Sequence, residues 1–282
     1  MATRKFGDLT QITIPPDAGL LLIHDGNGVK SVKLEDIKNY LAWQNAGSHN
    51  GIFRGKYIGN AVTDEQYNQI AAGTFDDLFI GDYWTINGVN WRIAGFDYWL
   101  RTGDTECVKH HVVIVPDTSL VSAKMNGSNI TTGAYVGSDY YTGNNSNTGK
   151  ATAKTAIENA FTAAHLLTHR EYLKNTVTNG YESAGSWYDS TFELMTEQMV
   201  YGGRALGNVM AGTNVPAIYT IDKSQLPLFA MAPHFITNRD NWWLRDVVSA
   251  SYFALVYDYG RCSYYYASDS NGVRPAFGIV KS

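Results

Sequence analysis

Three features of the sequence predict an α+β fold: capped helical segments in its middle, a dense run of short β-type stretches after Trp242, and turn signals between the elements. The helical side rests first on Asp64–Ala72, with Thr63 as N-cap and Gly73 as C-cap. Ala151–Ala164 carries an apolar stripe at helical spacing, with Thr152 as its expected cap. His165–Leu173 reads as its continuation or as a second helix, and Phe192–Tyr201 as one more. On the β side, Tyr83–Phe96 reads as a hairpin about Asn87-Gly88, a pair suited to the positive φ angles of a tight turn. His110–Val115 is a buried-type strand ended by Pro116, Gly143–Gly149 a polar loop, and Trp242–Val280 strands and turns throughout.

Two regions are expected along the 282 residues. Residues 1–45 read as a small attachment or oligomerisation module. It holds a β-type run at Thr10–Pro15, a strand at Leu20–His24, a turn at Asp25-Gly26-Asn27-Gly28, a returning strand at Val29–Leu34 and a short helix at Leu34–Trp43. A module that small cannot bury a core alone, so it is expected to pack on neighbouring copies or on a larger assembly. Residues 46–50, Ala-Gly-Ser-His-Asn, read as a linker, and residues 51–282 as the second domain.

Composition narrows the function classes. Hydrophobic residues make up 44% and charged residues 17%, which allows a packed core and argues against disorder. A net charge of −4 without a Lys/Arg cluster argues against nucleic acid as a partner. No apolar run is long enough to insert in a membrane, and Met1–Asp8 lacks the apolar core of a secretory leader. Two cysteines, Cys107 and Cys262, are too few for a disulfide framework or a zinc cage; one long-range bridge is open to them, and free thiols are expected. Aromatics reach 13%, with 19 tyrosines beside 27 glycines. Tyr, Ser, Gly and Asn are the residues of antibody paratopes, where rigid rings supply area and small polar groups adaptable hydrogen bonds. A loop-rich β domain with Tyr on its strands would have the same composition.

The tyrosines concentrate between Asp246 and Asn271: Tyr252, Tyr257, Tyr259, Tyr264, Tyr265 and Tyr266. Two-residue periodicity places Leu255, Tyr257 and Tyr259 on one face of a strand and Ala254 and Val256 on the other. The small apolar face suits a core, which turns the tyrosine face to solvent; the alternative is a strand buried on both faces. The run Tyr264-Tyr265-Tyr266 favours exposure, because successive side chains alternate and at least one ring must look outward.

Trp242-Trp243-Leu244-Arg245, the Tyr/Ser/Asp-rich run around Phe253, Val256, Gly260 and Ala267, and Ser270-Asn271-Gly272-Val273-Arg274-Pro275-Ala276-Phe277 resemble the variable region of diversity-generating retroelement target proteins. In that family adenine-directed mutagenesis, typically at Asn codons, yields Tyr, Ser, Asp, Leu, Arg or Cys but not Trp, Lys, Glu, Gln or Met. Residues 246–271 contain none of those five, while the flanks do. The resemblance implies a C-type-lectin-like fold, related to that of formylglycine-generating enzymes, and a ligand-binding surface of diversified residues. By position these are Ser251, Tyr252, Leu255, Tyr257, Asp258, Tyr259, Arg261, Ser263, Tyr264, Tyr265, Tyr266, Ser268 and Asp269, with Cys262 a marginal member. Trp242, Trp243, Arg245, Gly272, Arg274 and Pro275 would be scaffold, as would Ala250, Phe253, Ala254, Val256, Gly260 and Ala267. Gly81-Asp82-Tyr83-Trp84 and Trp91-Arg92-Ile93-Ala94 are similar to gut-phage proteins of this type, and Leu20–Lys30 to attachment segments of phage tail fibres.

That resemblance implies a receptor-binding protein at a phage tail tip, made in the host cytoplasm and carried on the virion. Its partners would be a host surface protein or glycan, other tail proteins and copies of itself, a trimer being common at fibre tips. A lectin-like bacterial surface protein and a tail glycan hydrolase are the alternatives. No lectin calcium signature is present, so calcium-dependent sugar binding is not expected. No catalytic residue, metal or cofactor is assigned. His165 and His169 sit four apart on the expected helix, a metal-ligand spacing, but no Glu follows His165. His110-His111 reads as a strand end with one ring inward, and Asp76, Asp77 and Asp82 as a solvated loop rather than a cation site.

Overall fold

The computed structural model describes residues 45–210 and 224–282, together with the backbone of residues 20–24 and 29–33. The chain divides into two units, Met1–Gln44 and Asn45–Ser282. In the first, β1 (Leu20–His24) pairs antiparallel with β2 (Val29–Lys33), from Leu20 opposite Lys33 to His24 opposite Val29. The expected run at Thr10–Pro15, the Asp25–Gly28 turn and the Leu34–Trp43 helix lie outside the described residues.

The second unit mixes α and β, with strands predominating. The segment read as a linker belongs to it: Ala46–His49 forms helix α1, whose His49 is buried and bonds through Nδ1 to the Leu78 carbonyl. Small polar residues here cap a helical turn instead of spacing two domains, Asn45 accepting from the Ser48 N–H at 3.1 Å. Helix α2 spans Asp64–Ala72, with a reciprocal capping box between Thr63 and Gln66 and Gly73 in the left-handed conformation at its end.

β3 (Tyr83–Ile86) and β4 (Val89–Phe96) form the predicted hairpin. They continue through β5 (Val112–Pro116) into one five-stranded sheet. Its far side is built by β14 (Pro275–Ile279) and then β9 (Phe192–Leu194), giving the order β3-β4-β5-β14-β9. A second five-stranded sheet has the order β12-β11-β10-β13-β6. Its strands are β6 (Val121–Ala123), β10 (Trp242–Val247), β11 (Tyr252–Val256), β12 (Cys262–Tyr266) and β13 (Asn271–Val273). A long hairpin, β7 (His169–Thr178) with β8 (Tyr181–Ser190), stands outside both sheets. One continuous apolar cluster, rich in Trp84, Trp91, Trp242, Trp243, Phe161 and Phe277, joins them. Each such side chain fully buried contributes about 1.5–3 kcal/mol.

The helical expectations after residue 150 need three corrections. The helix expected at Ala151–Ala164 is α4, Gly149–Phe161, after the short helix α3 at Asp139–Thr142. It starts earlier because the Asn147 side chain accepts the Gly149 N–H at 3.0 Å, and Gly149 is required there: a Cβ would lie 2.4 Å from that of Ala123. His165–Leu173 is no helix; His169 opens β7, where His169, Glu171 and Leu173 alternate as buried positions. Two of those three are polar, so hydrophobic periodicity could not reveal the strand. Phe192–Tyr201 splits into β9 and the short helix α5, Glu197–Tyr201, with Thr196 as N-cap.

Candidate ligand-binding surface

β10 is the foundation of the tyrosine-rich segment. Trp242, Trp243 and Leu244 are fully buried, and the indole N–H groups of both tryptophans donate to backbone carbonyls, Trp242 to Ile236 at 3.2 Å and Trp243 to Ala123 at 2.8 Å. Between Trp243 and Val247 the pairing with β11 breaks into a bulge, which turns Arg245 and Asp246 away from the ladder. The Arg245 N–H donates to Met195 and its guanidinium ion-pairs with the buried Glu171, which also accepts from the Trp99 indole at 2.9 Å. Burial disfavours the charged Glu171, but Arg245 and His169 outweigh it and hold the carboxyl down to about 2. Arg274 is equally enclosed: its guanidinium donates to the Pro116 and Phe235 carbonyls at 2.7 and 2.8 Å, and burial brings its pKa down to about 10. Gly272 is a packing requirement, since a Cβ there would lie 2.0 Å from the Ser119 hydroxyl. Pro275 opens β14 opposite Leu194.

β11 is buried on both faces. Phe253, Ala254, Leu255 and Val256 are all at 0% exposure. Leu255, expected on the display surface, is therefore a core residue. The periodicity argument failed because the strand ends at Val256, and the following residues turn instead of continuing the alternation. Tyr257 accepts from the Gly260 N–H at 2.7 Å and donates to Arg261 at 2.9 Å, with Gly260 at φ 93°. The two-faced burial that was the alternative to a solvent-facing tyrosine strand holds for this strand, but not for its neighbours. Tyr259 on the turn is 64% exposed, and Tyr264 and Tyr266 on β12 are 46% and 44% exposed. Asp258 and Arg261 are exposed, and Ser251, Tyr252, Tyr257, Ser263, Tyr265, Ser268 and Asp269 half-buried. Ala250, grouped with the scaffold, is exposed.

The rings fall into two groups set by strand alternation. Tyr252, Tyr264 and Tyr266 share one face, with Tyr252 centred 4.9 and 4.5 Å from the other two. Tyr257 lies 4.9 Å from Tyr259 and 6.3 Å from Tyr265, and the Arg261 guanidinium sits 4.8 Å over Tyr257 and 5.6 Å over Tyr259. A cation over phenols that meet edge-on makes that patch amphipathic and stiff. Cys262, at the start of β12, points inward and donates its thiol to Glu197 at 3.1 Å. Burial and the carboxylate push that thiol well up, so it is not a reactive nucleophile. Both cysteines are free thiols.

Sequence reasoning missed the buried charges beneath the surface. Glu197, at 0% exposure, accepts the N–H groups of Ala205, Leu206 and Gly207 as well as the Cys262 thiol, while its own N–H donates to Asp246 at 2.7 Å. Glu182 accepts the Val247 N–H at 3.1 Å. Neither acidic residue gave a signal for this, because burial of charge depends on partners far away in sequence. Also missed was a polar cleft of about 380 Å³ beside the segment's end, where Ser270 meets Lys124, Asp139, Asn145 and Asn147. The loop Gly143–Gly149 was its visible trace.

The other candidates for chemistry do not assemble. His165 stacks on Tyr67 at 3.8 Å, His169 packs tilted against Trp99 at 4.3 Å, and their shared helix does not exist. His111 is fully buried and His110 pairs with Asp97 at 2.7 Å. Asp82 is a buried partner of Arg54, not part of a solvated loop. Among the described residues no three His, Cys, Asp or Glu side chains are grouped to hold a metal. No helix among them is long and apolar enough to cross a membrane.

Residues 150–281 match the model of a domain of unknown function, DUF6273. No curated protein and no solved structure matches the chain.

Proposed function

We propose that the chain is the receptor-binding protein of a bacteriophage tail, in which a C-type-lectin-like scaffold presents a diversified, tyrosine-rich surface to ligands on the host cell. One observation carries this reading: Tyr259, Tyr264 and Tyr266 are exposed on a turn and strand whose neighbour, β11, is buried on both faces. Exposed rings fixed over a rigid base offer contact area at little cost in side-chain entropy. The likeness of residues 242–279 to variable regions supplies the diversification. Ser251, Tyr252, Tyr257, Asp258, Tyr259, Arg261, Ser263, Tyr264, Tyr265, Tyr266, Ser268 and Asp269 would then be exchanged, while the buried Trp242, Trp243, Arg245, Gly272, Arg274 and Pro275 hold the frame. In this reading the partners are a host surface protein or glycan, tail proteins that receive the first unit, and further copies of the chain. Recognition, not catalysis, is the activity.

The test has two arms. DNA flanking the coding sequence is expected to hold a near-copy of codons 242–279 with adenines at the exchanged positions, beside a reverse transcriptase; its absence removes diversification. Replacing Tyr257, Tyr259 and Tyr265 together by Ala is expected to cut adsorption to host cells at least about tenfold, the equivalent of about 1.4 kcal/mol. Undiminished adsorption by a folded variant removes this surface as the site.

A further inference from the structure

β12 is the edge of its sheet, and it lacks the devices that usually blunt an edge. Its sequence, Cys-Ser-Tyr-Tyr-Tyr, has no Lys or Pro, and its register with β11 runs without a bulge from Cys262 to Tyr266. Among the described residues no other segment bridges to it.

The bonds at its two ends fix where its backbone groups point. Ala267 donates to Ser251 and Tyr257 to Arg261, each at 2.9 Å, and both pairs continue the strand register. Bonded and non-bonded pairs alternate along an antiparallel ladder. Ser263 and Tyr265 therefore aim their N–H and C=O groups at β11, whereas Cys262, Tyr264 and Tyr266 aim theirs outward. The Tyr266 carbonyl accepts the Asp269 N–H at 2.9 Å and closes a turn. The outward N–H groups of all three residues, and the carbonyls of Cys262 and Tyr264, have no partner among the described residues. Two of these residues also carry the exposed rings, on the face shared with Tyr252.

A row of donors and acceptors at strand spacing is complementary to an extended polypeptide backbone. Sugar hydroxyls do not repeat in that order. We infer that the ligand is a protein, and that an extended segment of it adds to this sheet as a further strand along β12. Its backbone bonds to Cys262, Tyr264 and Tyr266, and its alternate side chains rest on the Tyr252–Tyr264–Tyr266 cluster. The inference rests on the binding role proposed above. A second copy of the chain is the poorer occupant, because pairing β12 with β12 covers Tyr264 and Tyr266 of both copies and leaves that display blind. Backbone bonding would also keep a core of affinity whichever side chains occupy the surface.

The probe is a library of linear random dodecapeptides, selected on the intact chain, with a glycan array run in parallel. Selected peptides are expected to weaken at least about fivefold when alternate amides are N-methylated in one register and to change little in the other, as loss of the two hydrogen bonds to the Cys262 and Tyr264 carbonyls, of about 0.5–1.5 kcal/mol each, predicts. Tyr264→Pro removes an outward N–H from an edge strand together with its ring; it is expected to fold and to weaken them about two- to tenfold more than Tyr264→Ala, which loses the ring alone, with Tyr264→Phe close to the parent. Selection of no peptide, indifference to N-methylation, or binding by folded Tyr264→Pro as tight as by Tyr264→Ala overturns the inference. So does a concentration-dependent dimer in sedimentation that Tyr264→Pro abolishes, which gives the edge to a second copy. If Tyr264→Pro misfolds, the methylated peptides still decide. Binding of peptides or glycans that needs the tyrosine rings but not the β12 backbone defeats this inference and leaves the proposed function standing; host adsorption independent of the tyrosines defeats the proposed function itself.

Discussion

β12 and β14 are strands of five residues each, close neighbours in sequence, and they meet opposite fates. β14 lies between β5 and β9, and every residue of it is buried. β12 closes a sheet and has no fully buried residue. Phe277 on β14 packs edge-on against Trp91 at 5.7 Å and Phe161 at 5.4 Å, whereas Tyr264 and Tyr266 both pack on Tyr252. Aromatic content is therefore not what separates core from display. Place in the sheet decides it, because an inner strand is covered on both edges and both faces, and a side strand keeps one edge and part of its faces in water. If β12 exchanges its side chains as proposed, β14 has to stay fixed.

The sharpest way to break this contrast is to cut an aromatic ring from each strand. Phe277→Ala should lower the unfolding free energy by about 3–5 kcal/mol, the usual cost of a large aromatic cavity, read from urea or thermal unfolding. A loss below about 1 kcal/mol would mean that β14 is not the rigid element described.

Next in size is Leu255→Ala on β11, expected to cost about 2–5 kcal/mol because Leu255 is wholly enclosed. Were Leu255 a display residue, the cost would stay within about 0.5 kcal/mol. The same measurement so decides whether Leu255 belongs to the proposed exchangeable set.

That position also marks how far the sequence was legible. Local chemistry was readable where it is self-contained: the Thr63–Gln66 capping box, the left-handed Gly73 and the Asn87-Gly88 hairpin all depend on neighbours a few residues away. The tryptophan pair before the tyrosine run was legible as core, since two adjacent indoles have no cheap place in water. Leu255 was not, because alternation assigns faces but cannot tell how many faces are covered, nor that the Tyr257–Gly260 turn ends the strand. His169 and Glu171 were hidden for a related reason. They are polar residues buried in a strand by partners such as Arg245 and Trp99, more than 70 positions away. Glu197 and its cage of backbone N–H groups under Cys262 belong to the same class.

Acid should separate the two regions as well. Burial takes His111 down to about 3 from its usual 6.5, with its Nε2 accepting the Trp99 N–H at 3.0 Å. Below pH 6.5 the unfolded chain takes up a proton that the folded chain refuses, so stability falls as pH falls, by up to about 1.4 kcal/mol per unit. Glu171 adds nothing to this slope until pH drops below its ordinary 4.5; its share is full above that value and is lost as pH falls towards 2. Between pH 6.5 and 4.5 the His111 contribution is about 2–3 kcal/mol. His111→Asn should be less stable at pH 7 but flatter across this window in pH-dependent unfolding. An unchanged slope would show that His111 is not held neutral.

The smallest effect is the most demanding for the display reading. Tyr259→Ala removes the most exposed ring of the segment, whose contacts are Tyr257 and the Arg261 guanidinium. A cation–ring contact at an exposed site contributes about 0.5–1 kcal/mol, and freeing Arg261 to water returns part of it. The change in unfolding free energy should therefore lie within about 0.5 kcal/mol. Tyr266→Ala on β12 should behave alike, since Tyr252 remains beside Tyr264. If either substitution instead cost as much as Leu255→Ala, the tyrosines would be holding the edge in place. A strand that needs its own rings to fold cannot exchange them freely, so equal costs at Leu255 and Tyr259 would sink diversification at this surface without any binding experiment.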